Sequence, residues 1–408
     1  MNTKTIDQII DKPKIISKQQ WIASIIVIIT AMTALMGTDL YLPAMPDMAS
    51  HFHATKSQLQ LTITVYLASI GLAAFFYGPL SDKIGRKPSL IIGSTTGLIG
   101  CLIILFSKNI DTLIIGRFIQ GLGASAGICI ATSVLVDIFP SKKQMSLISS
   151  YLSMVMTLSP LFAPTIGGYL THYLGWRSCF IVLVILFAII MTLHITIFKE
   201  TLKEKNPNSL KLKVLMKNYL ALAKDKTFLF MCICAGIALS LVMSYANIAP
   251  FIFMGTFHIS PIEFGYITLI VGISNIIGKF SNKFFIQQLS LNKTMTFGMM
   301  FAILGGVYLI VISIINLQSP ISILIGIFIS QLAIGLIVGN APAIALPPFR
   351  HIAGSASAMY RGSQQIVAFI TSAILTALPW HNSYIMAISY MFLGFIGVIL
   401  LLNLKSKS

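Results

Sequence analysis

In the run "TALMGTDLYLPAMPDM", Asp39 is the first charged residue after Lys18, and the stretch between them is almost wholly apolar or small. Such a run reads as a membrane-crossing helix. A carboxylate inside one is costly, which marks it as a candidate functional site. Burial disfavours the charged form, so this acid can take up and release a proton. Pro43 lies four residues on, and its ring removes the hydrogen bond that would occupy the Asp39 carbonyl. The helix is expected to open at the acid. A protonatable group beside free backbone oxygen suits a proton or a cationic substrate. Asp47, beyond both prolines, reads as a loop or cap residue.

Two arginines fall inside other apolar runs. An unpaired arginine at that depth costs about 2.5 kcal/mol or more. Arg117 should therefore face the interior, with Gln120, three residues on, sharing its face. Arg361 is the one charge buried in the second half; contact with substrate and contact with lipid headgroups are both open. Glu263 is the sole acid between residues 227 and 408, so proton traffic belongs to the first half. Tyr41, Tyr66, Tyr245 and Asn247, with Gln120, are candidates to line a substrate cavity.

Other chemistries find little support. Cys101, Cys129, Cys179, Cys232 and Cys234 sit in or beside apolar runs and read as small core residues. His51 and His53 form a His-x-His, too few ligands for a metal site. No zinc-protease, phosphate-loop or nucleophile-elbow motif occurs, which argues against an enzyme, a cofactor or ATP-driven pumping by this chain.

The elements that position these residues follow from composition. The chain has 408 residues, 56% hydrophobic and 10% charged, with mean hydropathy +0.88. Soluble domains carry roughly 25% charged residues. The reading is an all-α polytopic membrane protein. Twelve apolar spans are expected, at 20–46, 57–80, 88–107, 111–138, 145–171, 176–198, 227–256, 262–282, 293–316, 320–347, 352–378 and 382–404. The Lys-rich segment 199–226, with interleaved leucines, reads as an amphipathic helix on the membrane surface. The expected organisation is a tail 1–19, a six-helix bundle 20–198, a linker 199–226, a second bundle 227–404 and a tail 405–408.

The net charge of +17 reflects topology rather than nucleic-acid binding. Of the 28 Lys and Arg, 23 fall in the terminal tails and the even-numbered loops and only 3 in the odd-numbered loops. The positive-inside rule then puts both termini in the cytoplasm. Anionic inner-leaflet lipids are the expected partner. The halves also echo each other: "GPLSDK" (78–83) and "GKFSNK" (278–283) share Gly, Ser and Lys, with Asn282 where the first copy has Asp82. An internal duplication is a familiar construction for secondary transporters.

Several motifs carry a family resemblance. "GPLSDKIGRK", with Gly78, Asp82, Gly85, Arg86 and Lys87, resembles the signature loop of the major facilitator superfamily. "RFIQG", from Arg117, resembles its fourth-span motif. "SPLFAPTIGGYL", with Pro160, Pro164, Gly167 and Gly168, resembles the fifth-span antiporter motif, though Ser159 and Ala163 replace two glycines. "DLYLPAMP" resembles the first helix of bicyclomycin/chloramphenicol-resistance (Bcr/CflA-type) drug:proton antiporters. The resemblance implies two pseudo-symmetric six-helix bundles (MFS fold) in a bacterial inner membrane. It implies multidrug efflux of small molecules coupled to protons, with a monomer as the working unit. Arg117 would influence a proton site at Asp39, and the signature loop and fifth span would gate. Asp137, ending the fourth span, is a natural partner for Arg86. The alternative is proton-coupled uptake of a metabolite such as a siderophore, sugar or organic acid, because fold does not fix function.

Overall fold

The computed structural model describes residues 16–139, 142–207, 209–378 and 383–405. Most of both expected tails, including the chain ends, lies outside these residues. So do the side chains of Lys142, Lys143 and Arg350, three of the basic residues counted above.

The first span is broken. Helix α1 (Lys18–Asp39) stops at the acid, a tight turn Leu42–Ala44 follows, and α2 (Met45–His51) completes the crossing. The rest of the first half is α3 (Lys56–Ile84), α4 (Arg86–Leu105), α5 (Ile110–Ile138), α6 (Lys142–Leu174) and α7 (Arg177–Thr196). The connection carries α8 (Leu212–Lys224). The second half is α9 (Lys226–Pro250), α10 (Pro261–Gln288), α11 (Leu291–Ile314), α12 (Pro320–Val338), the short α13 (Asn340–Ala345), α14 (Ala353–Ala377) and α15 (Tyr384–Lys405). Among the described residues, 11 helical segments are long and apolar enough to cross a membrane. With α14, a 25-residue helix carrying Arg361, they correspond to the twelve expected spans.

Capping side chains start many of these helices. Ser17, Thr55 and Ser260 each accept from the third backbone N–H of the following helix, and Gln20, Gln58 and Glu263 reach back. Each reciprocal pair satisfies two donors that the helix leaves open. Asn109 and Asp225 cap α5 and α9 alone. Once started, the helices have few charged residues to hold them in water, so burial against neighbours and lipid fixes their place.

Within the first half α5 packs against α1, α3 and α4; in the second, α11 packs against α12 and α15. Two long contacts join the halves, α3 with α14 and α6 with α10. Helix α8 forms where the amphipathic helix was expected, and one side of it docks on α14 and reaches α3. Asn218 donates to Ser355 Oγ at 3.1 Å, and Tyr219 Oη donates to the Phe75 carbonyl at 2.9 Å. Its Leu222 is fully buried.

Candidate proton and gating sites

Asp39 is buried at the point where α1 ends. Its carboxylate takes no hydrogen bond from any described residue. The ion pairs among the described residues both belong to Arg86. Arg117 stands across from the break on α5. Its Nη1 donates to the Gly37 carbonyl at 2.8 Å, two residues before Asp39, and to Gln120 Oε1 at 2.5 Å. Gln120 in turn donates to Cys101 Sγ at 3.2 Å, which fixes the amide's orientation. Arg117 is fully buried, yet its Nη2 has no partner.

Two aromatic faces make that burial tolerable. The guanidinium carbon lies 4.4 Å from the Tyr41 ring centroid and 4.1 Å from that of Tyr66. A desolvated contact of this kind contributes about 2 kcal/mol. Each tyrosine is itself tied down: Tyr41 Oη pairs with Thr62 Oγ1 at 2.9 Å, and Tyr66 Oη donates to the Ala34 carbonyl at 2.7 Å. The structure thus places Tyr41, Tyr66 and Gln120 around Arg117. Tyr245 and Asn247 lie elsewhere, on α9. Tyr245 pairs with Thr268 Oγ1 at 2.7 Å. Asn247 donates to Ser372 Oγ at 3.1 Å, and its carbonyl accepts from Gln60 Nε2 at 2.8 Å, across the two halves.

Helix α6 grips the break. A Cβ at Gly167 would strike the Leu40 carbonyl, and one at Gly168 would strike the Pro261 carbonyl at the start of α10. The two glycines therefore let α6 press on α1 from one side and on the second half from the other. Thr165 Oγ1 adds a bond to the Gly265 carbonyl at 3.0 Å. Pro160 and Pro164 lie inside the same helix.

The signature segment forms a second cluster, on the face that carries the connection. Helix α3 runs through Asp82 to Ile84, so the expected loop shrinks to Gly85 between two helices. Arg86 donates to Asp82 Oδ1 at 2.6 Å, to Ser81 Oγ at 2.6 Å and to Asp137 Oδ2 at 2.8 Å. The Asp137 partner expected from sequence is present. Asp82 Oδ2 also lies 3.5 Å from where a Cβ of Gly354 would stand, at the first turn of α14. A carboxylate there meets the positive end of a helix from the other half. At Gly78 a Cβ would meet Ala358 at an ordinary 3.6 Å, so a methyl group fits there. The second half has a neutral counterpart. Asn340 Nδ2 donates to Asn282 Oδ1 at 2.7 Å, between the start of α13 and the last turns of α10.

Glu200 completes the cluster and escaped the sequence reading. It follows α7, yet it caps α4: Arg86 N–H donates to Oε1 at 2.9 Å and Lys87 N–H to Oε2 at 3.1 Å. Gly85 makes room for it, with φ at 113° and no Cβ to meet the carboxylate. The available signal was the empty start of α4, whose first residues Arg86 and Lys87 follow a glycine that offers no capping side chain.

A family profile described as Major Facilitator Superfamily matches residues 27–372. The chain belongs to that superfamily and is a multi-pass inner-membrane protein. It is 26% identical over 356 residues to a bicyclomycin resistance protein homolog of Haemophilus influenzae, covering 87% of this chain and 89% of that one. It is 26% identical over 355 residues to a chloramphenicol resistance protein of Pseudomonas aeruginosa, covering 86% and 83%. Its fold matches that of the xylose transporter XylE from E. coli, with TM-score 0.74 at 14% identity over 95% of this chain and 99% of that one.

Proposed function

We propose that this chain exports small amphipathic compounds across the membrane in exchange for protons, by alternating access. The names of the relatives, resistance to bicyclomycin and to chloramphenicol, support export. The observation that carries proton coupling is the caged Arg117, bonded to α1 two residues from a buried Asp39 and holding one unused amino group. Ionised Asp39 attracts that group and draws α1 toward α5. Protonated Asp39 releases it. Gly167 transmits the movement of the break to α6, and Gly168 passes it to the second half. Units 20–198 and 227–404 rock about α3–α14 and α6–α10, with 199–226 as their tether. A monomer suffices, and lipid headgroups meet the basic connection.

The test uses vesicles containing the purified protein with an internal pH dye. Adding chloramphenicol to energised vesicles should move protons opposite to the compound. Movement of both in the same direction establishes uptake instead.

The cytoplasmic cluster predicts a gate. Asp82 holds α14 through its first turn, a contact worth ~0.3–2 kcal/mol, which is enough to shift a two-state population several-fold. Asp82→Asn should raise thiol labelling of cysteines placed on the connection side and lower it on the far side, in a background lacking the five native cysteines. Unchanged rates in a variant that has lost transport would assign Asp82 another task.

Topology gives a separate check. The basic bias puts both termini in the cytoplasm. A reporter active only there, fused after Ser408, should be active. Activity solely from a periplasmic reporter reverses the orientation.

A further inference from the structure

Among the described residues Arg361 is a charge without a counter-charge. It lies two turns into α14, about 12 Å from that helix's start by the rise per residue. On α5, the facing Cys129 lies at a similar depth, about 13 Å from the helix end on the same side. The guanidinium is within electrostatic range of the Cys129 thiol and the Tyr360 hydroxyl. Its flanks are occupied by both halves. Gly362 packs on the Phe75 ring of α3, and Gln364 Nε2 donates to the Ala235 carbonyl of α9 at 3.4 Å. Arg361 thus stands where α3, α5, α9 and α14 converge, at the junction of the halves.

No acid among the described residues pairs with it. Among the described residues Arg361 makes no hydrogen bond and no ion pair. Asp82 and Asp137 are held by Arg86, and Glu200 by the start of α4. Glu263, the second half's sole acid, caps α10 through Ser260. Lys279 repeats the pattern on α10, where its ammonium meets the hydroxyl of Thr157 instead of a carboxylate. A half-buried guanidinium in a membrane span needs a partner, and its planar fork matches a carboxylate or phosphate. Nearby, Gln365 Oε1 is buried and unpartnered, an acceptor for a donor on the same ligand.

We propose that Arg361 binds an anionic group of the transported compound, so that the substrates include amphipathic carboxylates. This rests on the reading of the chain as an exporter and adds the charge of its cargo. An anionic lipid headgroup offers the same chemistry, but helices of both halves surround Arg361, which favours a solute entering the central junction.

The test is equilibrium dialysis of radiolabelled 2-naphthoate and 2-naphthamide against the full-length protein in phosphatidylcholine nanodiscs. No proton gradient is present, so the result stands apart from whether transport is proton-coupled. The wild type should bind the carboxylate at least about tenfold more tightly than the amide, the scale of a lost charge-assisted bond. Arg361→Gln should abolish the preference while leaving amide affinity within about twofold, which also shows the variant folded. Arg361→Lys should restore part of it. Equal binding of acid and amide, no binding of either, or a preference that survives in Arg361→Gln overturns the proposal. So does loss of the wild-type preference when phosphatidylglycerol is added, because the headgroup then holds the site.

Discussion

Asp39→Asn is expected to abolish proton-coupled transport while leaving the protein folded and inserted. No described residue donates to the Asp39 carboxylate, so an amide of the same shape strands no partner. The break in α1 is set by Pro43 and by the Gly167 contact, both of which remain. What disappears is the proton. Asparagine cannot exchange one, and it cannot present a charge to Arg117. Driven transport should fall to background, a loss of at least about a hundredfold if this acid is a working proton carrier. Facilitated exchange down a substrate gradient should persist. The check is a pH jump across proteoliposomes with the variant at wild-type abundance. Wild-type coupling in Asp39→Asn would remove the acid from the mechanism.

Arg117→Ala should be the most damaging substitution for stability. It empties a space between two tyrosine rings and leaves the Gly37 carbonyl and Gln120 Oε1 without their donor. A large-to-small change in a packed interior costs about 2–5 kcal/mol. Each stranded buried acceptor adds about 1–3 kcal/mol. Removing a buried charge works in the opposite direction. Here that gain is small, because the aromatic faces and carbonyls already compensate the guanidinium. The net is a fall of several kcal/mol, read as a large drop in thermal unfolding temperature in detergent. Arg117→Lys keeps the charge but not the plane and should fall between the two. An Arg117→Ala protein that melts with the wild type would show that the cage holds nothing.

Much of this was legible from residue order. Bilayer thickness makes a run of apolar residues a span whatever its partners, so twelve helices and the broken first one could be read directly. Pro43 lacks an amide hydrogen in any context, and α1 does stop at Asp39. Spacing on one helix placed Gln120 beside Arg117, and complementary charge paired Arg86 with Asp137. Contacts between helices were a different matter. Periodicity says which face is apolar and not which helix meets it. Only packing turned Tyr41 and Tyr66 into the walls of an arginine cage, from α1's turn and from α3. Only the return of the chain after α7 carried Glu200, more than a hundred residues away in sequence, to the open N–H groups of α4. Docking of α8 on α14 likewise depended on a surface that no single segment encodes. The sequence determined the spans, the acid and the arginines. The tertiary structure decided which charges are partnered, because partnership inside a membrane is a property of converging helices.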